Sequence, residues 1–310
     1  MDIVSTLMLL LGLAMIPYGA NGLVKHTKTL GEQLNVSQVL IGTLVLGFGS
    51  SLPELAVSLD AALLGHPDVA IGNIVGSNIA NLALVIPLTV IIYPILINQK
   101  AVKTECVIML CVTLLFVLVT GFFGLTRVPG VIFILTLSGY LYYQRNQHPK
   151  SAASTKSESN VLPILINLAK ITLYLTMLVA GAHFFLKGIL ALGNAIGLSE
   201  ATVGAIFAAV GTALPELTIS IMAARHKHTD LIFGSIIGSN VFNLIAIGGI
   251  TALVAPSQVN PSLMHFDYIV LTFITVLITA LLFKKDGLIS RKIGVGLLCV
   301  YCAYSGYLFS

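Results

Sequence analysis

The sequence predicts an all-α membrane protein of ten spanning helices in two inverted five-helix repeats. Three observations carry that prediction: an apolar composition, ten apolar segments divided by one polar linker, and a gap-free internal match. Of 310 residues, 57% are hydrophobic and 9% charged. A water-soluble domain of this length carries about a quarter charged residues. With a mean hydropathy of +0.99, most of the surface must face a bilayer.

The apolar segments cover residues 3–24, 36–64, 69–97, 105–122, 128–145, 161–188, 198–224, 230–255, 266–283 and 290–308. The first resembles a signal peptide, with Gly19-Ala20 mimicking a cleavage site. Asp2, however, stands where a signal peptide carries a cation, so it reads as a membrane helix. Residues 144–160 are rich in Ser, Lys and Ala, as in a flexible linker. The expected units are therefore residues 1–146, a linker at 147–160, and residues 161–310. Cys106 and Cys111 share one apolar segment, and Cys299 and Cys302 another. No His or further Cys joins them, so they read as packing residues.

Lys and Arg set the orientation. With the N-terminus outside, the inner loops hold Lys25, Lys28, Lys100, Lys103, Arg145, Lys150, Lys156, Arg225, Lys227, Lys284, Lys285, Arg291 and Lys292. The outer side holds Arg127 and Lys187. This is a positive-inside pattern. Both termini are expected outside and the linker in the cytoplasm. The net charge of +4 is accounted for without a nucleic-acid partner.

Shifted by 162 residues, the sequence matches itself. Gly49-Ser-Ser-Leu-Pro-Glu54-Leu falls on Gly211-Thr-Ala-Leu-Pro-Glu216-Leu, and Gly76-Ser-Asn-Ile-Ala-Asn81-Leu on Gly238-Ser-Asn-Val-Phe-Asn243-Leu. Gly31 meets Gly193 and Gly42 meets Gly204, so the duplication extends beyond the motifs. An odd number of helices per unit turns the second copy over. Inverted repeats of this kind build secondary transporters with binding sites near the midplane.

The repeated residues suit a cation. Pro53 has no N–H, so the Gly49 carbonyl should lose its helical donor. Gly47, Ser50, Ser51, Glu54 and Ser58 share one helix face, and Ala209, Thr212, Glu216 and Ser220 repeat it. Asn73, Ser77 and Asn81 form a second stripe, matched by Ser235, Ser239 and Asn243. Calcium takes about six to eight oxygens, and two carboxylates balance one divalent cation. The absence of Cys and His from these stripes disfavours softer metals. Pro, Gly and Ser in membrane helices often serve only packing, but a carboxylate there is costly and marks function. Asn78 and Asn240 sit one residue off the stripes and read as helix–helix hydrogen bonders. Asp68 and Asp230 sit at segment edges and read as helix caps.

These paired motifs resemble the two alpha-repeats of the calcium/cation antiporter superfamily, about residues 43–82 and 205–244, and are most similar to its prokaryotic sodium/calcium exchanger branch. The resemblance spans the chain. It implies four cation sites between broken helices 2, 3, 7 and 8, with helices 1 and 6 sliding against that core. Glu54 and Glu216 would serve both calcium and sodium, and Ser50 and Thr212 would join the calcium site. Ser77 and Ser239 would line an inner sodium site, Ser51, Gly47 and Ala209 an outer one, and Asn81 and Asn243 the middle. Calcium and sodium are then the transported ions and the bilayer the surroundings. No cofactor, protein partner or enzymatic activity is expected. The family motif commonly reads Gly-Thr-Ser-x-Pro-Glu. Here Ser50 keeps the first hydroxyl and Ala213 loses the second. Potassium-dependent relatives usually carry Asp where Asn81 and Asn243 are neutral. The resemblance implies calcium/sodium antiport in a prokaryotic cell membrane. Calcium/proton antiport is the alternative, since protons should compete for buried carboxylates, and a cation channel ranks below both.

Overall fold

The computed structural model describes residues 3–96, 99–147, 161–196, 200–257, 261–283 and 288–308, with the backbone alone over 99–101, 145, 147, 194, 200–212, 261–264 and 308. Among them the helices are α1 Ile3–Leu34, α2 Gln38–Ser50, α3 Leu52–Leu63, α4 Pro67–Ile92, α5 Gln99–Phe123, α6 Arg127–Gln147, α7 Val161–Ala195, α8 Glu200–Arg225, α9 Thr229–Val254, α10 Pro261–Leu282 and α11 Arg291–Leu308. Six are long and apolar enough to cross a membrane, or seven if the bent α2–α3 pair is one span.

The duplication is visible in the helix ends. The bounds of α4 fall on those of α9 in the 162-residue register, and those of the α2–α3 pair on α8. Gly65 (φ +82°) and Lys227 (φ +59°) occupy matching left-handed positions. The N–H groups after them close matching C-caps, His66 onto Ala61 O and His228 onto Ala223 O, both at 2.8 Å. The next helices start with His66 and His228 at the N-cap position, and neither side chain makes a cap bond. Asp68 and Asp230 stand in the first turn instead, so they complement the helix dipole rather than cap it.

Two boundaries differ from the sequence reading. Helix α1 continues past Lys25 and Lys28 to Leu34. A helix need not end where its apolar run does, and Lys28 pairs with Glu32 one turn on at 3.6 Å. Helix α6 likewise runs through Gln144 to Gln147, into the sequence expected to be linker.

Helices α4 and α9 form the centre, with 83% and 100% of their most apolar windows buried, against 22% for α1 and 17% for α7. Around them the packing repeats: α9 lies on α5 and α6, and α4 on α10 and α11. Ile95–Leu96 (β1) pairs antiparallel with Leu288–Ile289 (β2), tying the halves together. Helices α1 and α7 cross very closely. A Cβ on Gly12 would stand 2.5 Å from Phe185 N, and one on Gly188 2.7 Å from the Leu9 backbone. Contact that close joins α1 and α7 into one unit at the edge of the α4–α9 core.

Candidate cation site

The site forms where the two Pro-Glu segments meet the centres of α4 and α9. Between α2 and α3 the chain bends by 42° at Ser51. Pro53 occupies the first turn of α3, where a missing N–H costs nothing. The Gly49 carbonyl, expected to be stranded, instead accepts the Ser51 N–H. The hydroxyls gather two residues earlier. The Gly47 carbonyl accepts from Ser51 Oγ at 2.9 Å, Ser239 Oγ at 3.0 Å and Ser50 Oγ at 3.4 Å. Ser50 Oγ and Ser239 Oγ are themselves 3.1 Å apart. Gly47 and Ser239, which the resemblance assigns to different sodium sites, therefore stand together.

Glycine makes this meeting possible. A Cβ on Gly47 would lie 2.8 Å from Ser239 N, and one on Gly238 2.7 Å from Thr43 Cα. The segment Gly42–Gly47 is π-helical, as are Asn81–Val85 and Phe242–Ile247. Such turns often accompany functional sites.

Glu54 and Glu216 are both enclosed, at 2% and 1% exposure, and near enough for their charges to interact. One oxygen of Glu54 and both of Glu216 have no hydrogen-bond partner. Ser50 and Ser239 stand beside the Glu216 carboxylate but outside ordinary hydrogen-bond geometry. Buried carboxylate oxygens without donors are costly unless a cation or proton meets them. No group of three or more His, Cys, Asp or Glu suited to a metal occurs among the described residues. The donors are thus two carboxylates with neutral oxygens, a set suited to hard cations.

The halves are not equivalent. Asn73 Nδ2 donates to the Glu54 carbonyl at 3.1 Å and to Ser58 Oγ at 2.9 Å. At the matching places Ser235 and Ser220 are buried without partners. A serine hydroxyl is too short to repeat the asparagine's reach. Asn81 Nδ2 bonds Asn240 Oδ1 at 3.0 Å, whereas both amide atoms of Asn243 are unpartnered. Ser77 is buried at 8% exposure. Ala213 is buried at 5% where the first half has Ser51. Ala209 and Thr212 lie on α8, and their side chains fall outside the described residues.

The sequence reading missed a second pair of acids. Glu105 on α5 is buried and accepts from Tyr140 Oη at 3.0 Å and Gln144 Nε2 at 2.9 Å. Asp267, at the matching register on α10, accepts from Tyr304 Oη at 2.7 Å. The available signal was an acid at the same place in both copies. These acids are held by donors and lie apart from the hydroxyl cluster.

The sodium/calcium exchanger protein family matches residues 4–145 and 166–310. The chain is 32% identical over 317 residues to CaxA of Alkalimonas amylolytica, covering 99% of each chain. It is 29% identical over 349 residues to the sodium/calcium exchanger MaX1 of Methanosarcina acetivorans, again covering 99% of each. A solved structure of the sodium-calcium exchanger NCX_Mj superposes with a TM-score of 0.86 at 27% identity, covering 98% of both chains. With the family model matching nearly the whole chain, relatives aligned along almost all of it and a shared fold, the chain belongs to the sodium/calcium exchanger protein family of membrane antiporters.

Proposed function

We propose that this protein exchanges calcium for sodium across a prokaryotic cell membrane by alternating access. The observation that carries the reading is the pair Glu54 and Glu216, one from each half, with three unpartnered oxygens between them. Ten spans follow if the α2–α3 pair crosses once and every other helix crosses once. Both termini then lie outside and the linker inside. Calcium would take both carboxylates with Ser50 and Thr212. Sodium would use the same carboxylates with Ser77, Ser239, Ser51, Asn81, Asn243 and the Gly47 and Ala209 carbonyls. Two carboxylates cannot satisfy calcium and a full sodium set together, so binding of one ion favours release of the other. An empty dianionic site should cross poorly, which makes exchange obligatory. The α1–α7 unit is the natural moving part, because it borders the core as one body.

One observation favours calcium/proton antiport as the second reading. Ala213 withholds a hydroxyl where the first half has Ser51, so the sodium ligand set is thin. The two readings separate in proteoliposomes. Calcium uptake should follow an imposed sodium gradient when the pH gradient is collapsed. Uptake that follows the pH gradient alone would replace sodium with protons. On the sodium reading, Ala213→Ser restores one ligand and should lower the sodium concentration for half-maximal exchange by about fivefold, the equivalent of one ordinary hydrogen bond. Unchanged sodium dependence in that variant would remove Ala213 from the coupling site.

A further inference from the structure

The repeat relates two cross-half side-chain pairs among four buried asparagines at the centre of the core, Asn81 with Asn240 and Asn243 with Asn78, and only the first is bonded. In the repeat register Asn78 corresponds to Asn240, and Asn81 to Asn243. All four are at most 2% exposed. Asn240 reaches across to the other half. Its Oδ1 accepts from Asn81 Nδ2 at 3.0 Å, and its Nδ2 points to the Asn78 carbonyl at 3.5 Å and Met109 Sδ at 3.8 Å. Asn78 does the opposite. Its Nδ2 turns back onto its own helix, to the Ile74 carbonyl at 2.7 Å. The equivalent cross-half bond, Asn243 to Asn78, is therefore absent. Asn78 Oδ1, Asn243 Nδ2 and Asn243 Oδ1 are all buried without a partner.

An unpaired buried amide is costly. Two of these atoms, Asn243 Nδ2 and Asn78 Oδ1, are the donor and acceptor of the missing mate of the Asn81–Asn240 bond, which reads as one half of an exchange rather than a defect. The two halves have one topology and opposite orientations in the membrane. Exchanging their local conformations converts a carrier open to one face into a carrier open to the other.

We infer that Asn240 and Asn78 are alternating positioning residues: Asn240 holds the Asn81 amide in this state, and Asn78 takes hold of Asn243 in the oppositely facing state. In the second state Asn240 would release Asn81 and turn back towards Ile236 on its own helix, as Asn78 now does towards Ile74. Each asparagine of the site would thus be held in one state and released in the other. The π-helical turns at Asn81–Val85 and Phe242–Ile247 lie at the residues that would adjust. The inference rests on the antiport reading and on Asn81 and Asn243 lining the site. It assigns Asn78 and Asn240 no contact with the ion.

The test is side-resolved. The calcium concentration for half-maximal exchange is measured separately at the two membrane faces, and their ratio is compared among variants. Apparent affinity at a face scales with the fraction of carriers open to it. The ratio also cancels any loss of binding common to both faces. Asn240→Ala should change the ratio by about fivefold in one direction, the Boltzmann factor of one internal hydrogen bond. Asn78→Ala should change it by about fivefold in the other direction. The double variant should return near the wild-type ratio, with slower turnover. A merely structural pair would shift neither ratio, or both the same way, and either result overturns the inference. Should an alanine variant fail to fold, Asn78→Ser and Asn240→Ser provide the same comparison, since serine cannot span the gap. Failure of the sodium reading would appear in the wild type as flux without sodium dependence. The ratio can be read with whichever counter-ion drives wild-type exchange, so the two failures are distinct.

Discussion

Replacing Glu216 by Gln should lower calcium exchange by at least about a hundredfold, corresponding to roughly 2.7 kcal/mol or more. Gln preserves shape and removes one of the two charges in a buried site. Water has little access to compensate, because Glu216 is 1% exposed and Glu54 2%. Removing one partner of a buried charge set costs about 3–5 kcal/mol, which leaves a divalent ion poorly bound. Glu54→Gln should have the same effect. The double variant should be little worse than either single one, because residues acting as a unit are not additive. Initial rates of calcium uptake in proteoliposomes, on protein that elutes as a single folded species, decide the matter. Near-normal exchange in either variant would separate that glutamate from the ion.

Gly238→Val should abolish transport and destabilise the fold. The added Cβ would stand 2.7 Å from Thr43 Cα and 2.9 Å from Thr43 O. Both are backbone atoms and cannot rotate away, so α2 and α9 must separate. Overpacking of this kind costs about 1–3 kcal/mol and occasionally more. Separation would also pull Ser239 Oγ from the Gly47 carbonyl, now 3.0 Å away. Thermal unfolding in detergent should therefore show a lower midpoint together with lost exchange. Gly139→Val is the control, since a Cβ at Gly139 meets no described atom within 4 Å. Equal effects at both positions would show that the helix crossing is not what matters.

Much of this site is legible in the sequence because the duplication repeats it. The register pairs Glu54 with Glu216, and the glutamates after proline identify the costly groups. Helical spacing places Ser50 and Ser51 near Glu54. Spacing along one segment, however, gives a face and not the partner opposite it. That Ser239 reaches the Gly47 carbonyl depends on the α2–α9 crossing, which joins residues from opposite halves. The same limit hides the Asn81–Asn240 bond and the donors around Glu105. Pro53 signals a bend, but not that Gly49 keeps a donor while Gly47 collects the hydroxyls. Helix α1 exceeds its apolar run because hydropathy marks the lipid-facing stretch, whereas backbone hydrogen bonding continues through Lys25 and Lys28.

The asymmetry of the halves is also only partly readable. Ser51 against Ala213 and Asn73 against Ser235 are visible as letters. What they do becomes visible in the structure, where Asn73 bonds the Glu54 main-chain carbonyl and Ser58 Oγ while Ser220 and Ser235 have no partners.

If the two glutamates, one from each half, make a single calcium site, equilibrium binding of radioactive calcium to the purified protein will count it. The wild type should bind one calcium competed by sodium, and Glu54→Gln and Glu216→Gln should each lose it entirely. Two independent calcium ions in the wild type, with one surviving in each variant, would mean that each glutamate holds its own ion.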